Sequence, residues 1–321
     1  MKKVLALILA LAMIFTLAAC SSKTGSLHLV SIDDAHIDQL IASSPYYAKS
    51  VIGKDVYGTA GDAQTVAIAA MILVSNDLSE DTVYEITKTI FEGKSSIEHG
   101  KAADLDLGFA TSVTSVPFHA GAAKYYAEQG ITVDSVAGGS SSASDLTFKT
   151  GGESGTYYAY GTVLAQYVSA NTGLSITAVT GNGSKANVED LDAGTAQLVF
   201  CQSDVMSYAY SGTNLFDKAV GSFSVLGALY MEQVQIATLN DKVQTVADLK
   251  GKTVSVGAQG SGVYFNAVDV LGAYGMTLSD IKPVYQSFGD SAESLKDGKI
   301  DAAFIVAGAP TTAVSDLAAS K

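Results

Sequence analysis

The pattern that most limits the fold is a unit of short strand, glycine-rich turn and helix that recurs through the second half of the chain. Leu146 to Lys149 reads as a strand and Thr150-Gly151-Gly152-Glu153-Ser154-Gly155-Thr156 as its turn. A helix follows from Tyr157, with Tyr157, Tyr160, Val163, Leu164, Tyr167 and Val168 at helical spacing. Thr253 to Val256 repeats the scheme, with the turn Gly257-Ala258-Gln259-Gly260-Ser261-Gly262 and a helix through Ala267, Val270 and Leu271. Ala302 to Val306 begins a third unit, followed by Ala307-Gly308-Ala309-Pro310 and a helix through Val314 and Leu317. Alternating β and α elements of this length predict an α/β fold with a mostly parallel sheet.

In such sheets ligands lie beyond the C-terminal ends of the strands, where helix N-termini offer unpaired backbone N–H groups and a partial positive charge. Turns around Gly155, Gly183-Ser184, Ser203-Asp204 and Ser261-Gly262 are therefore the candidate ligand contacts. The composition fits this device. All nineteen basic residues are Lys, so the usual bidentate clamp for a carboxylate is missing, and backbone N–H and hydroxyl groups are left to do its work. Tyr157, Tyr158, Tyr230, Tyr264 and Phe288 lie in or beside the turns and are placed to wall a cleft, or else to fill the core. Asp204 and Glu232 are candidate acceptors for a ligand amine, or a helix cap and a solvated acid.

Other chemistry finds no support. There is no G-x-x-x-x-G-K-[ST], and residues 257–262 do not make G-x-G-x-x-G. No G-x-S-x-G elbow is present. The four histidines (His28, His36, His99, His119) have no metal-ligand spacing and read as surface or cap residues. Neither a metal nor a cofactor is expected. A net charge of −13 argues against nucleic acid.

The first half lacks the glycine-rich turns. It opens with a strand over Leu27–Ile32 and a helix from Asp34 to Ser43. A long apolar strand over Thr65–Val74 follows, then a helix over Ser79–Phe91 with Val83, Ile86 and Ile90 inward and Gly93 at its end. Residues 134–145, rich in Gly and Ser, are expected to be a flexible linker between the halves. At the start, Lys2 and Lys3 precede an apolar run from Val4 to Leu17 that ends in Leu17-Ala18-Ala19-Cys20. This is a secretory signal with a Cys at the cleavage point, the acceptor of bacterial lipidation, and residues 21–25 form a tether. The second cysteine, Cys201, sits in the apolar run Leu198-Val199-Phe200 and is expected to be buried.

Several stretches together resemble the TAXI family, the solute receptors of one class of tripartite ATP-independent periplasmic (TRAP) transporters. They are T-G-G-E-S-G-T-Y-Y at 150–158, Q-S-D-V at 202–205, Y-M-E-Q-V-Q-I at 230–236, V-A-D-L-K-G-K-T-V-S-V-G-A-Q-G-S-G at 246–262 and D-G-K-I-D-A-A-F-I-V-A-G-A-P at 297–310. V-S-I-D-D at 30–34 and P-F-H-A-G-A-A-K-Y-Y at 117–126 also match. The order departs from the family, in which the 150–158 stretch comes first and the last two come last. The chain resembles a circular permutant whose old termini are joined by residues 134–145.

The resemblance implies a type II periplasmic-binding-protein-like fold of two discontinuous α/β lobes, a hinge and a central cleft. One lobe would hold 63–133 with 146–238 and the other 26–62 with 239–321, crossed by Tyr230–Ile236 and Ala63–Met71. It implies a small organic acid or amino acid as ligand, with glutamate, glutamine or a dicarboxylate foremost, and delivery to a TRAP-type permease from the outer face of the bacterial cell membrane. Gly155, Thr156, Tyr157, Asn187, Ser203, Asp204, Tyr230, Ser261, Gly262 and Pro310 would then lie near the ligand, and Cys20 would carry the lipid. Two alternatives share the sequence features: a ligand-sensing lipoprotein that feeds a membrane sensor kinase, and a surface enzyme, which no catalytic motif supports.

Overall fold

The computed structural model describes residues 25–320; the expected signal, Cys20 and most of the expected tether lie outside them. Twelve strands and ten helices follow in chain order. They are β1 (His28–Leu29), α1 (Asp34–Ser43), β2 (Ala48–Ile52), β3 (Ala63–Ser75), α2 (Glu80–Glu92), α3 (Leu107–Ala110), β4 (Phe118–His119), α4 (Ala120–Glu128) and β5 (Ser135–Val136). Then come β6 (Asp145–Lys149), α5 (Thr156–Asn171), β7 (Ser175–Val179), α6 (Ser184–Asp192), β8 (Leu198–Gln202), α7 (Ser203–Ser211) and β9 (Phe223–Thr238). The chain ends with β10 (Thr253–Ser255), α8 (Val263–Ala273), β11 (Lys282–Val284), α9 (Phe288–Lys296), β12 (Ala302–Ala307) and α10 (Thr312–Ala319).

One sheet runs through the molecule in the order β11-β10-β12-β9-β3-β8-β6-β7. At each end the strands are parallel: β11, β10 and β12 at one, β8, β6 and β7 at the other. The expectation of a mostly parallel sheet fails in the middle. There β9 and β3 run antiparallel to each other, β12 runs antiparallel to β9, and β8 antiparallel to β3. The physical reason is length. At 13 and 16 residues, β3 and β9 are too long for one lobe and pass from one to the other, closing each parallel set along its edge. Their ladder contains two register shifts, at Ala70/Met71 and Ile72/Leu73, which add local twist. Twelve of the thirteen β3 residues are buried. That is why this stretch reads as a continuous apolar run instead of an alternating one.

Each end of the sheet has its own core. In the first lobe α2, α4, α5, α6 and α7 pack on β6, β8 and β9 around Tyr126, Tyr160, Phe148 and Phe200. In the second lobe β12 shows the two-residue period of a strand covered on both faces. Ala302, Phe304 and Val306 face α1 and α8, whereas Ala303, Ile305 and Ala307 face α9 and α10. The result is a type II periplasmic-binding-protein-like architecture: two α/β lobes, a hinge of two crossing strands, and a cleft between them.

Local signals explain most boundaries. Ser79 caps α2 by accepting from Thr82 N, and Gly93 ends it. The buried face of α2 includes Val83, Ile86 and Ile90. The first strand is shorter than Leu27–Ile32, because the extended chain changes partner: Val30 N donates to Ile236 O, and Ile32 N donates to Gln64 O on β3. His99 and His119 are cap residues, accepting from Lys101 N and Gly121 N. Cys201 is fully buried.

The 134–145 stretch is not the flexible linker expected. Ser135–Val136 pairs with β4, Gly139 N donates to Leu78 O, and Ser79 N donates to Ser141 O. Gly138 and Gly139 allow this close approach, since a Cβ on Gly138 would come within 2.7 Å of the His119 ring and one on Gly139 would overlap the Asp77 backbone. The stretch is a strap tied across the start of α2.

Candidate ligand-binding cleft

Between the lobes lies a cleft of about 300 Å³. Its walls are the turns that open helices. Gly151 to Tyr157 lead into α5 and Gly181 to Ser184 into α6, both from the first lobe. Ser261 to Val263 lead into α8 and Ser287 to Asp290 into α9, both from the second. Three of these helices start without a side-chain cap, because Gly155, Gly183 and Gly262 occupy the cap positions. The positive ends of three helix dipoles, with first-turn N–H groups that lack a side-chain cap, are thus turned toward the cleft, although Ala186 N of α6 is already engaged with Gly260 O. The fourth, α9, is already capped by Ser287, which accepts from Asp290 N at 3.1 Å.

Glycine is required here by closeness more than by freedom. Gly183 has φ +98°, and a Cβ on it would lie 2.8 Å from the Cα of Ser261 in the opposite lobe. A Cβ on Gly262 would overlap Gln202 Oε1. The lobes therefore meet in the closed arrangement. Ala186 N donates to Gly260 O at 3.1 Å, Ala313 N to Ser154 O at 3.2 Å, and Thr156 Oγ1 to Gly308 O at 3.0 Å.

The floor is polar and buried. Gln202 ends β8, and Glu232 lies on β9; each is 2% exposed. Tyr157 OH donates to Glu232 Oε2 at 3.1 Å, and the Tyr157 ring stacks on Phe200 at 4.6 Å. Gln202 Nε2 donates to Asn266 Oδ1 at 3.1 Å. Gln202 Oε1 and Ser261 Oγ are buried without a hydrogen-bond partner among the described residues. Burial pushes the Glu232 carboxyl up to about 8, opposed by its bonds to Tyr157 and Gln202. Among the described residues that line the cleft, the ionisable carboxyls are Glu153, Glu232 and Asp290. No group of three metal-ligating side chains occurs among the described residues.

Five of the ten expected contacts line this cleft: Gly155, Thr156, Tyr157, Ser261 and Gly262. The other five lie elsewhere. Asn187 is fully buried behind the wall, its amide donating to Thr150 O at 2.7 Å and Phe200 O at 2.8 Å. Asp204 is buried at the lobe junction, where it accepts from Val205 N at 2.6 Å and from Asn266 Nδ2 at 3.3 Å. Burial pushes its carboxyl up to about 7. Ser203 faces a separate hollow on the other side of the hinge, with Tyr47, Phe109 and Met231. Tyr230 packs against Tyr160 and Phe200 with Lys101 over its ring. Pro310 is exposed on the approach to α10. The floor residue Gln202 was not foreseen, although it ends the strand that precedes Ser203. Glu153, Ser154, Ser287 and Val306 carry no signal of their own beyond proximity to the turns.

Three solved structures resemble the chain in part. The alkanesulfonate-binding protein SsuA from Xanthomonas axonopodis pv. citri bound to MOPS is 20% identical over 52% of this chain and 56% of its own, with a TM-score of 0.35. The periplasmic aliphatic sulphonate binding protein SsuA from Escherichia coli is 20% identical over 51% and 55%, at 0.32. NikA from Brucella suis in complex with Fe(III)-EDTA is 14% identical over 59% and 40%, at 0.27. The chain thus spans about half the length of the structures it matches. Residues 6–130 and 148–321 match the NMT1-like family, and with nearly the whole chain so accounted for, the protein belongs to that family.

Proposed function

We propose that this protein is an extracytoplasmic solute receptor that captures a small organic acid or amino acid and passes it to a membrane permease of the TRAP type. The observation that carries the reading is the convergence of three uncapped helix N-termini from both lobes on one cleft, whose buried Ser261 hydroxyl has no partner among the described residues. Backbone N–H groups arranged in this way suit a carboxylate and need no Arg. Because the walls come from both lobes, a ligand that touches both holds them closed, and closure is the signal a permease reads.

Within this reading, Cys20 carries the lipid anchor. The first lobe comprises 63–133 with 146–238 and the second 26–62 with 239–321. In a permuted order, residues 134–145 would join the old termini; the family match breaks between 130 and 148, around that stretch. Leu27 and Leu317 lie in one apolar cluster of the second lobe.

The test is a thermal melt of residues 21–321 against amino acids, dicarboxylates and sulfonates. A ligand confined to the folded state adds about 2.7 kcal/mol of stability at a hundredfold excess over Kd. A rise in midpoint with a carboxylate is expected. A cooperative melt unmoved by every member of the panel overturns the reading.

A further inference from the structure

Anion capture does not account for Glu232. This carboxyl lies on the hinge strand β9 at the floor of the cleft and is 2% exposed. The groups around it come from five directions. Tyr157 of α5 donates to it, and Cys201 and Gln202 of β8 lie beside it. Tyr230 flanks it on its own strand, Asp204 of α7 adds a like charge, and Lys101, from the turn Gly100–Asp104, adds an opposite one. The Lys101 ammonium is already engaged with Asp104 at 3.1 Å. If Glu232 were ionised and unpaired, it would repel the ligand carboxylate that the helix N-termini attract, and at this depth the unpaired charge is costly. If it stays protonated, it is a neutral donor. Only a cationic group on the ligand lets it ionise with a partner.

Resting on the carboxylate-receptor reading above, we infer that Glu232 is the specificity-determining acid of the cleft: it exchanges its proton for a ligand ammonium, so that zwitterionic α-amino acids are preferred over the same acids lacking the amine. The balance is simple. The Glu232 O–H bond breaks, the proton passes to solvent, and the carboxylate pairs with the –NH₃⁺ that arrives, while the ligand carboxylate meets the N–H groups of α5, α6 and α8. Tyr157, which donates to Glu232, orients the carboxylate. The hydroxyl of Ser261 and the amide oxygen of Gln202 remain for the rest of the ligand.

Isothermal calorimetry at pH 7, in two buffers of different ionisation enthalpy, counts the protons. The probes are glutamate against glutarate and leucine against 4-methylpentanoate, each pair differing only by the ammonium. With the free carboxyl titrating at about 8, the amino acid that binds should release close to one proton and its deaminated partner none. Its Kd should fall about tenfold between pH 6 and 7 and level off above 8, because only the ionised fraction binds the cation. Glu232→Gln should abolish the release and weaken the amino acid at least tenfold, with little loss for the deaminated acid.

In Asp204→Asn the release should persist with a lower midpoint, since the like charge beside Glu232 is gone. If the release vanishes there, the proton belongs to Asp204 and the assignment fails. Equal affinity within each pair and no proton release overturn it as well, and the wild-type count stands whether or not a variant folds. If no amino acid or deaminated partner binds while the melt remains cooperative, the carboxylate-receptor reading falls first, and this inference with it.

Discussion

Adding one methyl group at Gly262 tests whether closure of the lobes, and not merely the presence of the cleft, sets affinity. Gly262 caps α8 with φ −67° and ψ −23°, a conformation Ala adopts without strain. The new Cβ would meet Gln202 Oε1, with Ser184 Oγ 3.0 Å away, and both belong to the opposite lobe. Gln202 cannot simply swing aside: it is 2% exposed, and its amide holds Asn266 Oδ1 at 3.1 Å. Overpacking of this kind costs about 1–3 kcal/mol. Here the strain exists only when the lobes are shut, so it is taken from ligand binding, and Kd should rise roughly 5- to 150-fold. The open protein has no such contact and gains the stiffer backbone of Ala, about 0.4–1 kcal/mol. The ligand-free melting point should therefore hold or rise slightly. Calorimetric titration and a ligand-free melt read the two quantities separately. A double-mutant cycle with Gln202→Ala should return a coupling of about 1 kcal/mol or more. Affinity that is unchanged in Gly262→Ala, or that falls together with ligand-free stability, refutes the reasoning.

Asp204→Asn should change how stability varies with pH. An unfolded Asp ionises near 4, whereas in the folded protein burial pushes Asp204 up to about 7. Between these values the folded state binds the extra proton, so the wild type should lose stability as pH rises from 4 to 7, by as much as about 4 kcal/mol from this group. Urea unfolding at pH 4.5 and 7.5 should show the variant gaining on the wild type at the higher pH; a constant difference refutes this. Asn187→Ala should strip Thr150 O and Phe200 O of the amide donor and cost about 2–4 kcal/mol in thermal stability, with ligand affinity measured on the folded fraction changing little. Cys20→Ser should release the protein from the membrane fraction into the medium or periplasm, as fractionation and immunoblotting would show.

Much of the fold was legible because its signals are local. Strand, glycine turn and helix follow from neighbours in sequence, and Leu146–Lys149, Thr253–Val256 and Ala302–Val306 fall within a residue of the strands observed. The direction of β3 and β9 was not legible. An apolar run reports burial, not which neighbour it pairs with or which way it runs. The strap at 134–145 was misread for a similar reason: Gly and Ser in a row signal freedom only where nothing approaches, and here α2 and His119 approach closely.

In the cleft, the turn residues were visible because glycine and a helix start coincide. The floor was missed by one position. Gln202 is the last residue of β8 and lines the cleft, whereas Ser203 already follows the helix and faces the hollow on the far side of the hinge, and Asp204 is buried at the lobe junction against Asn266. Asn187 has the polarity of a ligand contact but spends it on two backbone carbonyls, and only the three-dimensional path of β6 and β8 shows that. Tyr230 shares the face of Glu232, two residues along β9, but sits deeper in the first lobe, against Tyr160 and Phe200.

The two long strands also set the mechanics of the molecule. Lobes joined by loops swing on single bonds and settle at many angles. Here an unbroken antiparallel ribbon passes through both halves, so relative motion must twist a hydrogen-bonded ladder about its long axis. Such a ribbon behaves as a torsion bar. It resists shear and separation strongly but yields to rotation. The lobes therefore share one axis of motion, which keeps the four helix ends aligned across the gap as they part and lets them meet again in the same register.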